Sequence, residues 1–374
     1  MLSLENLISY TEQFGEKHIA PLTEKTDAEG RFPIEAYNAL RKEGFMGLLV
    51  PKEYGGLGGG NYEHTLVCYH LAKFCATTAL CYMMHNTSVT TLVAAGSEEL
   101  KKELLPKVAK GEVAFALAFS ESGSGTHFGE PDISESVGSG VRILNGRKSF
   151  VTSAQAADYY LTYTNSCKVS GGKNIWLVAN NAKNLVHEEG VWNGLGMRGN
   201  ASKPVQYNGV EVAENLLIGA EGKGEEGAGV CLMHFVTGLA AVYSGLGNAA
   251  YSCALNHAKT RNYTNGKALK DIELVRIHLA DMYSKVQGGI ALALNAANAY
   301  DKGESDAAAK IFASRINATH SVMEVCTLAM RIGGGKAYSK LLPLERYMRD
   351  ALASQVMAPS LDVLKIWLGD ALVV

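Results

Sequence analysis

The chain has 374 residues, 47% of them apolar and 19% charged, which is enough for two or three packed domains or one large helical body with an inserted sheet, and excludes a disordered chain. Lys and Arg number 35 against 37 Asp and Glu, so the near-neutral balance excludes a basic nucleic-acid footprint and leaves any phosphate-bearing ligand to a local site. The seven scattered cysteines contain no CxxC pair, which fits a reducing cytoplasm and gives no reason to expect a metal.

The chain opens on helical spacing. Leu4, Leu7, Ile8 and Phe14 recur at the helical period, with no basic-then-apolar signal pattern before them, and Ile34, Tyr37, Leu40 and Phe45 repeat it. Glycines and prolines make 51–60 a loop, after which helical pattern resumes to about Lys110. The character changes near Glu112. The apolar run 113–119 and the segments 142–144, 148–152, 159–163, 175–178 and 205–212, bounded by Gly, Asn and Ser, predict a compact β domain. Helix returns from about Glu221, and Leu274, Ile277, Met282 and Val286 hold one face of a long segment at 271–300. Residues 227–258 contain no Asp, Glu, Lys or Arg, a length that could cross a bilayer. Their glycines, the polar His234, Asn248, Asn256 and His257, and the lack of flanking basic asymmetry predict a buried helix and no membrane span. The order is helix, β, helix, an α+β fold with domains at 1–112, 113–220 and 221–374.

A set of motifs then falls into a recognisable order. Asp27-Ala-Glu-Gly-Arg-Phe-Pro33, Gly44-Phe-Met-Gly-Leu-Leu-Val-Pro-Lys-Glu-Tyr-Gly-Gly-Leu-Gly58, His85-Asn-Thr-Ser88 and the stretch 96–111 resemble, in sequence and spacing, the N-terminal region of acyl-CoA dehydrogenases. The resemblance continues over nearly the whole chain. It implies an N-terminal helical domain, a middle β-barrel-like domain and a C-terminal four-helix bundle. It also implies bound FAD, an acyl thioester substrate (acyl-CoA or carrier-bound), an electron-transferring flavoprotein or oxygen as acceptor, and a homo-oligomer, dimer or tetramer.

Residue roles follow from the same resemblance. Phe119-Ser-Glu-Ser-Gly-Ser-Gly-Thr126 is similar to the family's Thr-Glu-Pro-Gly-Ala-Gly-Ser loop. Phe119, Ser120, Gly125 and Thr126 are thereby implied to touch FAD, and Thr126 also the substrate. Small residues there let main-chain N–H groups and hydroxyls approach a ring or phosphate, although the same residues alone would read as a Gly-rich turn. The family's proline is Ser122 here and its following aspartate is His127. Asn145-Gly-Arg-Lys-Ser-Phe-Val-Thr152 resembles a strand whose aromatic packs on the isoalloxazine and whose threonine bonds near N5 and O4, roles that fall to Phe150 and Thr152. Leu195-Gly-Met-Arg-Gly-Asn200 matches another element, and Arg198 reads equally as a domain-packing cation or a substrate ligand. Arg261 stands where the family binds the FAD pyrophosphate across a subunit interface, with one extra residue before Gly266 and Asn265 in place of phenylalanine. Arg331, Gly334 and Gly335 fall near the adenine end, and Ser360 and Asp362 where a threonine and an acidic residue meet the flavin.

The family's base does not carry over. Its members remove the substrate α-proton with a glutamate while hydride leaves the β-carbon. In Gln355-Val-Met-Ala-Pro-Ser360 that position is Ala358. The alternative site on an earlier helix, counted back from Leu246-Gly-Asn-Ala249, is Thr237, with Gly238 for the usual arginine and Phe235 for the usual aspartate. His234, one helical turn before Thr237, and His127, bordering the flavin loop, are the substitutes to consider. Three readings stand open: a dehydrogenase or desaturase with a displaced base, a flavin-dependent monooxygenase on the same fold, and a non-catalytic partner subunit.

Overall fold

The computed structural model describes residues 2–125 and 129–373. The first third is helical: α1 (Leu7–Phe14), α2 (Thr23–Glu29), α3 (Ile34–Lys42), α4 (Asn61–Ala72), α5 (Ala76–Ala95) and α6 (Glu98–Ala109). Ser97 starts α6 by accepting the Leu100 N–H at 3.2 Å, with Glu98 and Glu99 in the positive first turn. Helix α5 is buried almost throughout despite its many hydroxyls. Thr87, Ser88 and Thr91 each donate to the carbonyl four residues back, which lets them lie in an apolar core.

The start of α4 is closed by another domain. The Asn61 and Tyr62 N–H groups each donate, at 2.8 Å, to the carboxylate of Asp301, which ends the later helix α8 (Glu273–Asp301). A side chain at Gly60 would meet that carboxylate at 2.7 Å, so the approach needs a glycine.

Eight strands follow among the described residues: β1 (Phe115–Ala118), β2 (Ser134–Val137), β3 (Val141–Val151), β4 (Tyr159–Asn165), β5 (Lys173–Ala179), β6 (Leu185–His187), β7 (Lys203–Ala213) and β8 (Leu217–Ile218). The barrel-like middle domain is built of two four-stranded sheets, ordered β1-β4-β5-β8 and β2-β3-β7-β6. They enclose a core that includes Leu144, Tyr160, Trp176 and Tyr207. The segments read separately at 142–144 and 148–152 belong to one strand, β3 and its immediate end, broken by irregularities after Leu144 and after Lys148.

The C-terminal part is a bundle of α7 (Gly224–Thr260), α8, α9 (Ala307–Tyr338) and α10 (Leu344–Val356), with α11 (Leu361–Val373) against α9. Helix α7 holds the charge-free segment and is long and apolar enough to cross a membrane. It instead runs through the middle of the molecule against α4, α5, α8 and α9, with 72% of its most apolar window buried. Two further ion pairs tie the domains: Arg41 to Asp158 at 2.8 Å, and Arg349 to Asp27 through paired contacts of 2.9 and 2.6 Å. All seven cysteines are free thiols.

Candidate functional site

A cavity of about 580 Å³, the size of a small-molecule site, opens between the β domain and the bundle. Its β-domain wall begins where β1 ends and the chain turns through Phe119 and Ser120. That turn is latched from behind. The buried Lys148 Nζ donates to the Phe119 carbonyl at 3.2 Å, to the Tyr163 carbonyl at 2.5 Å and to the Glu121 carboxylate. Glu121 also accepts the N–H groups of Asp132 and Ile133, and the Ser149 N–H donates to Ser120 O at 2.8 Å. Burial pulls the Lys148 ammonium down to about 8, opposed by the attraction of Glu121.

The irregularity after Lys148 re-aims the end of β3. Lys148 points into the β core, while Phe150, two residues on, lines the cavity with 61% of its surface exposed. Thr152 is buried on the same wall and shares a 2.8 Å hydrogen bond with the Ser202 hydroxyl. Trp192 closes the edge, its ring perpendicular to Phe150 at 5.8 Å. The opposite wall is apolar. Ala228, Cys231, Leu232 and Phe235 share one face of α7, Met84 adds from α5, and Ala353, Met357, Ala358 and Pro359 come from the end of α10 and the turn after it.

Phe119, Ser120, Gly125, Phe150, Thr152 and Ala358 therefore meet in one cavity. Thr126 and His127 lie outside the described residues. Ser360 follows Pro359 directly, and its carbonyl accepts the Leu364 N–H as α11 begins. Asp362 is exposed beside Lys365. Arg261, Arg331, Gly334 and Gly335 are exposed on the bundle and line no part of this cavity. Arg198 donates from Nε to the Asp27 carbonyl at 2.8 Å and edges a separate polar depression with Lys340 and Arg349. That placement joins domains and does not reach the larger cavity.

Neither position on α7 faces the cavity. Thr237 is buried elsewhere and donates to Asn61 Oδ1 at 2.8 Å. A side chain at Gly238 would meet Met83 at 2.5 Å and the His64 ring at 2.7 Å, so the volume is already filled. His234 also turns from the cavity: Nδ1 donates to Val230 O at 3.0 Å and the ring packs edge-on against Tyr300. Burial lowers its pKa. Among the described lining residues the ionisable groups are Glu121, committed to Lys148 and two amides, and Cys231, whose thiol burial pushes up to about 12. None is a free base.

The arrangement suits a flat, electron-poor ring. Phe150 offers an uncovered aromatic face, the Thr152–Ser202 pair a hydroxyl donor, and the latched turn main-chain groups at close range. Glu121, Trp192 and Ser202 were not singled out in the sequence. A tryptophan between turn residues in Gly190-Val-Trp-Asn-Gly194 is the one signal that could have marked its loop.

Three family models match in succession: the acyl-CoA dehydrogenase N-terminal domain over residues 4–112, the middle domain over 116–210 and the C-terminal domain over 222–372. The chain is 30% identical to an acyl-CoA dehydrogenase of Bacillus subtilis, with 92% of this chain and 90% of that protein covered. It is 28% identical to the short-chain-specific acyl-CoA dehydrogenase of Clostridium acetobutylicum, with 95% and 93% covered. Among solved structures it is similar to butyryl-CoA dehydrogenase from Megasphaera elsdenii, with a TM-score of 0.93 and 25% identity over 100% of this chain and 99% of that one.

Proposed function

The chain belongs to the acyl-CoA dehydrogenase family, whose members use FAD, and from that premise we propose that it oxidises an acyl thioester across its α and β carbons without the family's glutamate. The observation that carries this reading is the shared cavity of Phe150, Thr152 and Ala358, closed by apolar side chains. FAD bound there supplies the hydride acceptor. Phe150 presents a surface for its ring, and the Thr152 hydroxyl, paired with Ser202, offers a donor to the ring's polar edge. Leu232, Phe235 and Met357 form a wall that takes the acyl chain and excludes water. For the α-proton we propose His127, two residues along the chain from Gly125, since no described lining residue is free to accept it. Anaerobic addition of a panel of acyl-CoA and carrier-bound thioesters bleaches the flavin absorbance on this reading. A panel that leaves the yellow protein unchanged overturns it.

The full commitment of Glu121 favours a second reading, a monooxygenase on the same fold, whose chemistry does not depend on taking an α-proton. It is distinguished by oxygen consumption coupled to an oxygenated product after chemical reduction. Flavin inert in both assays leaves the role of a partner subunit. For the electron acceptor we propose an electron-transferring flavoprotein in the first case and oxygen in the second. We further propose a homo-oligomer, dimer or tetramer, in which Arg261, Arg331, Gly334 and Gly335 reach a neighbour's FAD, and a cytoplasmic setting that keeps the seven thiols reduced.

A further inference from the structure

Behind the cavity wall lies a charge that the reaction above does not use. Arg315, in the third turn of α9, is completely buried, and no carboxylate among the described residues pairs with it. Its Nη2 donates to the Ser354 carbonyl at 2.9 Å, Nη1 donates to the Thr319 hydroxyl, and Nε has no partner. The guanidinium lies over the Tyr243 ring at 4.7 Å. Asp350, one turn before Ser354 on α10, spends its carboxylate on the Met197 N–H at 2.6 Å and makes no ion pair with Arg315. These contacts put the cation one layer behind the wall. Ser354 follows Ala353, which lines the cavity, and the Tyr243 hydroxyl touches the sulfur of Met357, which lines it too, at 3.8 Å.

Stability is a poor reason for such a group. A buried guanidinium without a counter-ion is costly, and apolar replacements of buried charges are often neutral or stabilising. Capping the last turn of α10 needs a donor, which a neutral side chain could supply. A positive charge in a dry setting has one further effect: it favours negative charge in whatever occupies the adjoining space. Two electrons and one proton would convert the neutral oxidised isoalloxazine ring of bound FAD into a monoanionic reduced ring, so its site would gain one negative charge on reduction.

We propose that Arg315 supplies the positive field of this cavity and raises the midpoint potential of bound FAD by stabilising the charge gained on reduction. It is a positioning residue that acts through the α10 wall. The proposal needs FAD in the cavity and no particular substrate, so it stands or falls separately from the thioester reading.

The test is the midpoint potential of the FAD-loaded protein at pH 7, from dye-equilibrated dithionite titration, for wild type, Arg315→Lys, Arg315→Gln and Arg315→Met. Loss of charge in the Met and Gln proteins lowers the potential by about 30 mV or more, at least tenfold in the two-electron equilibrium, while Lys stays near wild type. Met and Gln proteins that hold FAD at the wild-type potential overturn the proposal. A Lys protein that falls as far as Met also overturns it, because the fork and not the charge would then matter. Should Arg315→Met fail to fold with FAD, Arg315→Gln, which can still donate to Ser354, decides alone. A purely structural Arg315 would shift melting temperatures and leave potentials unmoved.

Discussion

His85 has both ring nitrogens committed. Nε2–H donates to the Met46 carbonyl at 3.1 Å and Nδ1 accepts the Phe115 N–H at 3.1 Å, joining α5, the turn after α3 and β1. Only the neutral ring can do both, and burial pulls its pKa down to about 4. Because the folded value lies below the unfolded one of about 6.5, the contribution is complete above pH 6.5 and is lost as pH falls toward 4. The loss amounts to roughly 3 kcal/mol at most. Urea unfolding between pH 7 and 4 should show this decline, and His85→Gln should flatten it, although the buried His64 adds a decline of the same sign. At Ala358 the expectation runs to gain. Ala358→Glu places a carboxylate on the cavity wall, and anaerobic flavin reduction by a cognate acyl-CoA should accelerate by ~10²–10⁴ if a missing base limits it. An unchanged rate would mean that the proton already has an acceptor. At this scale the motifs carry part of the way: Phe150, Thr152 and Ala358 share one cavity, whereas Arg261, Arg331, Gly334 and Gly335 lie exposed outside it. Arg198 was ambiguous because a motif fixes a position in the chain, not what the guanidinium meets.

Elements were legible where their pattern was apolar. The charge-free stretch within α7 read correctly as a buried helix because its polar residues and glycines argue against lipid. The strand β2, Ser-Glu-Ser-Val, was invisible because most of it faces water and its buried member is Glu135, held by Trp176, Asn174 and Arg142. The bend in β3 was also hidden, since the bulge that turns Phe150 outward depends on pairing with β7. The Lys148 latch behind the turn at Phe119 and Ser120 makes a prediction at this scale. Lys148→Met strands the buried Glu121 charge and should cost about 3–5 kcal/mol in chemical denaturation, with weakened FAD binding. Replacing both residues together, Lys148→Met with Glu121→Gln, should recover much of that loss. In α9 the kink at Gly334 has φ +54° and ψ −138°, with nothing within 4 Å of a would-be side chain. Gly334→Ala should therefore cost about 1–3 kcal/mol from backbone strain alone, read as a fall in melting temperature.

For the whole molecule, the order of three domains was readable from changes in period along the chain, while their mutual contacts were not. Leu274 and Ile277 form a short exposed row one turn apart on α8, at 54% and 51% accessibility, whereas Met282 and Val286, expected on the same face, are buried in the core. Such a row on a bundle surface fits contact with a second copy. Sedimentation should give a mass that is a multiple of 40 kDa, and Leu274→Glu with Ile277→Glu should shift it toward 40 kDa and loosen FAD. A wild-type monomer that holds FAD tightly would contradict this. The carboxylate of Asp301 bears on the molecule as a whole in another way. It grips the two amides that open α4 from the last residue of α8, so those protons are held from exchange as long as that carboxylate stays in place. Deuterium entry at Asn61 and Tyr62 should therefore follow the parting of the start of α4 from the end of α8, which makes these two amides a clock for that contact.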